Sequence, residues 1–195
     1  MMHVKVMLPT YNERKSVGSV INSLLELEIQ KVKISILVID DNSPDGTAQY
    51  VRSLNLRNVE VLQRPNKDGL GSAYKAGIEK ALQESDVTHL VSMDADSSHR
   101  VADLSRLIES ARSNPTANLV IGSRWVPGGA IENWPFARKF LSKLGTKYAQ
   151  WALNLEIEDL TGGFRVYPRR TLERLDLSQI TSNGYCYQIE MAYAI

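Results

Sequence analysis

Two aspartates separated by one residue, Asp94 and Asp96, follow the apolar stretch His89–Met93. In an extended chain, residues i and i+2 point to the same side, so the two carboxylates can converge on one cation. A small set of hard oxygen donors suits Mg²⁺ or Mn²⁺ held jointly with substrate phosphates. The plainer alternative is that these residues cap the helical pattern that begins near Arg100. Other apolar stretches end in polar residues too. One runs into Pro9-Thr10-Tyr11-Asn12-Glu13, a second into Asp40-Asp41-Asn42-Ser43, and a third into Gly122-Ser123-Arg124. Tyr11 has a face on which a base can stack, and Glu13 can cap a helix or contact a nucleotide. Asp40 or Asp41 can accept hydrogen bonds from a ribose or a base, or can build the turn that Ser43-Pro44-Asp45-Gly46 strongly favours. Both readings hold if different residues serve each.

These groups need a frame that brings chain ends together. Short apolar runs at Val4–Leu8, Lys33–Ile39, Val59–Leu62, His89–Met93 and Leu119–Ile121 alternate with helical spacing at Val17–Leu25, Asp45–Leu54, Ala73–Leu82 and Val101–Ala111. Strands buried on both faces and alternating with helices predict an α/β domain, a mostly parallel sheet with helices on both faces. Ligands then bind beyond the carboxyl ends of the strands, where the polar residues cluster. After Gly122 the pattern changes. A loop at Pro127-Gly128-Gly129 leads into a long helix over Ala137–Leu155. Thr161-Gly162-Gly163 breaks the pattern, Phe164–Tyr167 reads as a short strand, and Tyr185–Ile195 begins a last helix. The expectation is one domain over residues 1–195 with two lobes, a nucleotide-binding half (1–122) and a C-terminal helical half (123–195).

Gly69-Leu70-Gly71 is not a dinucleotide fingerprint, which belongs after the first strand with an acidic residue about 20 positions on. It suits a tight turn and close helix packing. There is no phosphate-binding P-loop motif. His3, His89 and His99 are too far apart for a local metal cluster; His99 fits a capping or supporting role beside the Asp pair. One cysteine, Cys186, excludes a disulfide framework and suits a reducing compartment. No apolar run approaches the roughly 20 residues of a membrane span, and no signal peptide is recognisable. The 195 residues carry 23 basic and 22 acidic side chains, a net charge of +1 that argues against a nucleic-acid partner.

That total hides segregation. From Val120 to Gln150 the chain has five basic residues (Arg124, Arg138, Lys139, Lys143, Lys147) against Glu132. The last three form one helical stripe. Phe140, Leu144, Tyr148, Trp151 and Leu155 form an apolar, aromatic stripe beside it. Such a helix suits an interface with anionic lipid, or else packs as an ordinary surface helix.

Taken together, PTYNER, VIDDNSPDGT, DAD with SH, GSRWVPGG, ENWPFARK and DLTGGFRVY resemble the family 2 glycosyltransferases of GT-A fold, and within them the dolichyl- or polyprenyl-phosphate mannose synthases. The likeness runs over essentially the whole chain. It implies inverting transfer of mannose from GDP-mannose to a polyprenyl (dolichyl-type) phosphate. Pro9, Tyr11, Glu13, Val38 and Asp40 would hold the guanosine, Asp94 and Ala95 the sugar-phosphate region. Asp94, Asp96 and Ser98 would surround Mg²⁺ or Mn²⁺, and Arg124 and Arg138 would bind phosphates. Asp159 would orient the acceptor or act as a base. The protein would sit peripherally on the cytoplasmic face of a membrane, with or without a membrane-anchoring partner or domain. Ser98 stands where the family often has glutamine, and His99-Arg100-Val101-Ala102 replaces a His-Pro-Pro-Glu-like run. A later basic segment of the family would fall after Ile195, so a longer natural chain is expected. The alternatives are transfer of another sugar, such as glucose from UDP-glucose, and a non-catalytic nucleotide-binding module. A sugar nucleotidyltransferase lacks support, since no glycine-rich first loop is present.

Overall fold

The computed structural model describes residues 1–126 and 136–195; of residues 136–143 and Tyr185 it describes the backbone alone. Six strands, β1 (Met2–Thr10), β2 (Val32–Asp40), β3 (Val59–Gln63), β4 (His89–Ser92), β5 (Val120–Ile121) and β6 (Arg165–Pro168), form one sheet in the order β3-β2-β1-β4-β6-β5. β1 pairs in parallel with β2 and β4, and β2 with β3. β6 is antiparallel to both β4 and β5. The sheet is therefore parallel through the first four strands, with one reversed strand near its edge.

The central strands are apolar throughout because both faces are covered. Val4, Val6, Met7 and Leu8 of β1, and Ile36 to Ile39 of β2, have no exposed surface. Alternate residues feed two cores. One takes Val4, Val6, Leu8, Ile36 and Val38 against α1 (Val17–Leu25), α2 (Thr47–Ser53) and α4 (Val101–Ser113). The other takes Met7, Leu37 and Ile39 against α3 (Leu70–Ala81) and α7 (Tyr185–Ala194). Helices on both faces of a mostly parallel sheet are the expected fold.

One element that the sequence reading did not resolve shapes the C-terminal half. α6 (Arg169–Arg174) starts directly after Pro168. Its Arg169 guanidinium donates to the carbonyls of Leu82 (2.7 Å) and Val87 (3.3 Å), filling acceptors left open past the end of α3. α5 (Phe136–Leu153) is the long helix expected. Ala149 packs with Leu160 and Ala192, joining α5 to α7 and to the loop before β6.

The expected roles of Gly69 and Gly71 hold. Gly69 turns with φ +87° at the start of α3. A Cβ on Gly71 would lie 2.8 Å from the Ser182 carbonyl and 2.8 Å from the Tyr187 ring, so glycine there lets α7 pack against α3.

Candidate functional site

The loops after β1 and β2 are stapled together. Asn12 N–H donates to Ser43 Oγ (3.0 Å), Glu13 N–H to Thr47 Oγ1 (3.1 Å) and Arg14 N–H to Asp45 Oδ2 (3.1 Å). Asn12 sits at φ 62°, which reverses the chain and leaves Tyr11 exposed. Glu13 caps α1: its carbonyl accepts from Val17 N–H (2.9 Å), and its carboxylate takes the Ser16 hydroxyl. Asp40 is wholly buried. It accepts from Thr10 Oγ1 (3.1 Å), Ser43 Oγ (2.6 Å) and Ser43 N–H (2.9 Å), so the turn engages both its oxygens. Asp41 pairs instead with Arg64 (2.7 Å), which also donates to Ser72. Burial raises the Asp41 pKa against the opposing Arg64 charge. Val38 has its side chain in the core, so only its backbone faces a ligand. Pro9 is half-buried on β1. Lys67, which the sequence reading passed over, places its ammonium 3.8 Å from the centre of the Tyr11 ring. The face given to a base thus attracts a cation.

The acidic pair does not lie on a strand. β4 ends at Ser92, and Ala95 to Ser97 form a bend flanked by Asp94 and Ser98. Local bonds compete with the ladder there. His99 Nδ1 accepts the Asp94 N–H (3.0 Å), Asp96 Oδ1 accepts the Ser98 N–H (2.9 Å), and Ser97 takes φ 64°. The convergence expected from strand alternation is corrected: the bend, not the pleat, sets the two carboxylates. Asp94 is half-buried, Asp96 and Ser98 are exposed, and Ala95 is buried. Burial raises the Asp94 pKa, with His99 opposing and the Asp96 and Glu13 charges adding to the rise. Crowded negative charge of this kind is relieved by a cation. Among the described residues no three acidic, histidine or cysteine side chains form a metal cluster. Two carboxylates with open positions fit an ion that keeps waters and takes substrate oxygens.

His99 stacks on Phe164 at 4.9 Å. Because Nδ1 accepts a backbone N–H, the neutral ring carries its proton on Nε2. Burial lowers the His99 pKa, against the pull of Asp94. Of the two roles expected for His99, the geometry gives the supporting one: its ring holds the Asp94 backbone, and α4 carries no side-chain cap.

Beyond β5, Arg124 meets Asp159. Asp159 Oδ2 accepts the backbone N–H (3.0 Å) and Nε (2.7 Å) of Arg124, and Oδ1 accepts Nη2 (2.6 Å). Nη2 also reaches Thr161 Oγ1 (2.7 Å). Asp159 is 1% exposed. This forked pair fixes the guanidinium plane. Arg124 is close enough to lower the Asp94 pKa. The glycine loop bridges them: a Cβ on Gly162 would lie 3.3 Å from Asp159 Oδ1, and one on Gly163 3.8 Å from Asp94 Oδ1. The antiparallel pairing Ser92↔Arg165 delivers that loop, and Ser92 Oγ ties it down at the Gly163 carbonyl (2.6 Å). The side chain of Arg138 lies outside the described residues, as do residues 127–135.

At the opposite end of the sheet, His3 bonds Asp86 (3.0 Å) through Nδ1 and Ser35 Oγ (2.8 Å) through Nε2. The residue types are those of a nucleophilic triad. Ser35 lies mid-strand and, like His3, is buried, so the array ties β1 to β2 and the β4 approach.

A mostly parallel sheet whose carboxyl ends gather an acidic bend, a forked arginine and an exposed tyrosine is an α/β domain of the GT-A kind. Residues 5–176 match the family model "Glycosyl transferase family 2", and the chain belongs to that family of glycosyltransferases. It is 42% identical over 191 residues to a polyprenol monophosphomannose synthase of Mycolicibacterium smegmatis, covering 96% of this chain and 70% of that one. It is 44% identical over 195 residues to an undecaprenyl-phosphate mannosyltransferase of Micrococcus luteus, covering 98% and 77%. A dolichol-phosphate mannosyltransferase of Pyrococcus furiosus is 36% identical over 182 residues, half of its own length. Among solved structures, glucosyl-3-phosphoglycerate synthase of Mycobacterium tuberculosis, in complex with Mn²⁺, UDP-glucose and phosphoglyceric acid, superposes with a TM-score of 0.71 at 18% identity. That match covers 98% of this chain and 64% of the other, and shows the fold.

Proposed function

We propose that this protein transfers a mannosyl group from GDP-mannose to a polyprenyl monophosphate, with inversion, releasing GDP. The observation that carries the proposal is the pairing of 42% and 44% identity to two lipid-phosphate mannosyltransferases, each over nearly the whole chain. Residues 1–122 serve the nucleotide sugar and 123–195 the acceptor. Pro9, Tyr11, Glu13 and the Val38 backbone line the nucleoside end, with Asp40 supporting the turn beneath.

Asp94 and Asp96, with Ser98 beside them, would hold a divalent ion, Mg²⁺ or Mn²⁺. When bound, such an ion supplies charge neutralisation at the departing diphosphate. A structural relative was solved with Mn²⁺ and UDP-glucose. The acceptor is a phosphate monoester with a second pKa near 6, already anionic at neutral pH. No strong base is required. The problem for the protein is to bring two anions together, and a guanidinium held in plane by Asp159 does this at Arg124. Arg138 would share the task.

The exposed Leu144, Tyr148 and Trp151 of α5 support docking to a lipid surface that presents the acceptor. No helix among the described residues is long and apolar enough to cross a membrane.

The test is transfer of radiolabel from GDP-mannose to polyprenyl phosphate with Mg²⁺ or Mn²⁺, read as butanol-extractable product. Asp96→Ala should abolish product without changing the melting temperature. Thermal shift with GDP-mannose against UDP-glucose decides the donor. Absence of product from the full-length wild type, or turnover in Asp96→Ala equal to wild type, would sink the proposal.

A further inference from the structure

Gln188 of α7 is 2% exposed, and neither its Nε2 nor its Oε1 has a hydrogen-bond partner among the described residues. Buried side-chain amides are nearly always bonded, so an orphaned one needs an explanation. Its backbone is firmly fixed. Arg165, wholly buried, donates Nη1 to the Gln188 carbonyl (2.7 Å), Nε to the Gly162 carbonyl (2.7 Å) and Nη2 to the Leu160 carbonyl (2.7 Å). One guanidinium thus clamps α7 to the glycine loop of the site. Close packing at Gly71 holds α7 from its other side.

The amide points where the chemistry is. A Cβ on Gly163 would meet Gln188 Nε2 at 3.6 Å, Asp94 Oδ1 at 3.8 Å and His99 Cε1 at 3.9 Å. Three polar groups from α7, the acidic bend and its supporting histidine therefore gather at one glycine. Asp94 has its neighbours assigned, but the amide has none.

We propose that Gln188 is a sugar-binding residue: its amide is kept for a hydroxyl of the transferred hexose, seated beside Gly163 between Gln188 and Asp94. An amide offers a donor and an acceptor together, and a sugar hydroxyl complements both. A diphosphate offers acceptors alone and would leave the amide oxygen unpaired. A site built to bond a substrate hydroxyl discriminates strongly against donors that lack it, because its own buried group is then left unpaired. Gln188 would therefore help set which sugar is transferred. This rests on the glycosyl-transfer reading above.

The test uses Gln188→Met, near in volume and without polar atoms, in the full chain. Transfer kcat/KM from GDP-mannose should fall about tenfold or more, the equivalent of one lost hydrogen bond to a buried partner. GDP affinity should stay within about twofold of wild type, and the extra affinity of GDP-mannose over GDP should shrink. The melting temperature without ligand should stay level or rise, since an unpaired buried amide has been removed. A structural amide would behave oppositely, with a lower melting temperature and unchanged discrimination between GDP and GDP-mannose; that result overturns the proposal. A second measurement needs no variant to fold. Among GDP-deoxymannoses, wild type should reject one position sharply. Equal tolerance of every deoxy donor by wild type overturns the proposal. If wild type transfers mannose and Gln188→Met matches it, only this inference fails; if wild type transfers nothing, the underlying function fails first.

Discussion

Asp159 shows how a residue's role follows from its partners. The family resemblance implies an acceptor-orienting group or a base at this position, yet both its oxygens are spent on Arg124 and it has almost no exposed surface. A carboxylate so committed holds a cation; it is poorly placed to take a proton. The two residues should then act as one unit. Arg124→Ala and Asp159→Ala should each reduce kcat/KM, and the double variant should be little worse than either, with a coupling of about 1–3 kcal/mol. Independent, multiplying losses would show a separate function for Asp159. Asp159→Asn should also cost about 3 kcal/mol of stability by urea unfolding, because Arg124 loses the charge that balances it in a largely buried setting. Lys67 makes the same point from the other direction. Its residue type drew no notice in the sequence, and only the fold lays it on Tyr11.

At the scale of elements, periodicity sufficed for the long segments and failed for the short ones. The apolar runs of β1 and β2 and the helical spacing of α1, α3 and α4 were readable because burial on both sheet faces leaves a repeating pattern. α6 has six residues, too few for a helical repeat, and its only signals were Pro168 and the spacing of Thr171 and Leu172. Four residues of β6 carry no sign of direction, so its antiparallel pairing was invisible. That pairing is nevertheless what brings Gly163 to Asp94. Local hydrogen bonds turned the acidic pair out of the strand, a competition that side-chain alternation ignores. Candidate site residues could be picked out where type and position agreed, as at Asp94, Asp96 and Arg124. Gln188 could not, because an unpaired buried amide exists only once the chain has folded. α5 separates its two candidate readings. Thr146 and Ala149 are buried, whereas Leu144, Tyr148 and Trp151 are 47%, 69% and 80% exposed, so these three residues of the stripe face away from the core, while Leu155 packs with Ala149. Trp151→Ser should therefore leave the melting temperature unchanged and weaken co-sedimentation with anionic vesicles about tenfold, the worth of one buried aromatic side chain. Gly71→Ala makes the opposite case. It should cost about 1–3 kcal/mol by urea unfolding, because its methyl group would press on the Ser182 carbonyl and the Tyr187 ring.

The whole molecule separates its charges by sheet end. Carboxylates and arginine gather beyond the strand C-termini, while buried polar groups at the other end, His3 with Ser35 and Lys5 with Glu84, hold the strands together. Stability should respond to pH through both ends, with opposite signs. Asp94 has a raised pKa, so the folded chain keeps a proton that the unfolded chain has released above about 3.8; its contribution favours folding at low pH and is lost as pH rises through the raised value. His89, at the start of β4, has a lowered pKa, first because it is half-buried and then because Arg170 is near. Below about 6.5 the unfolded chain binds a proton at this position that the folded chain refuses. Stability contributed by neutral His89 is therefore complete above about 6.5 and falls as pH drops toward the lowered value. His89→Gln, which cannot titrate, should flatten the decline of unfolding free energy between about pH 6.5 and 5 measured by urea titration, and leave values near pH 7.5 parallel to wild type. An undiminished decline in that variant would assign the slope to other groups and show that His89 is solvated in the folded protein.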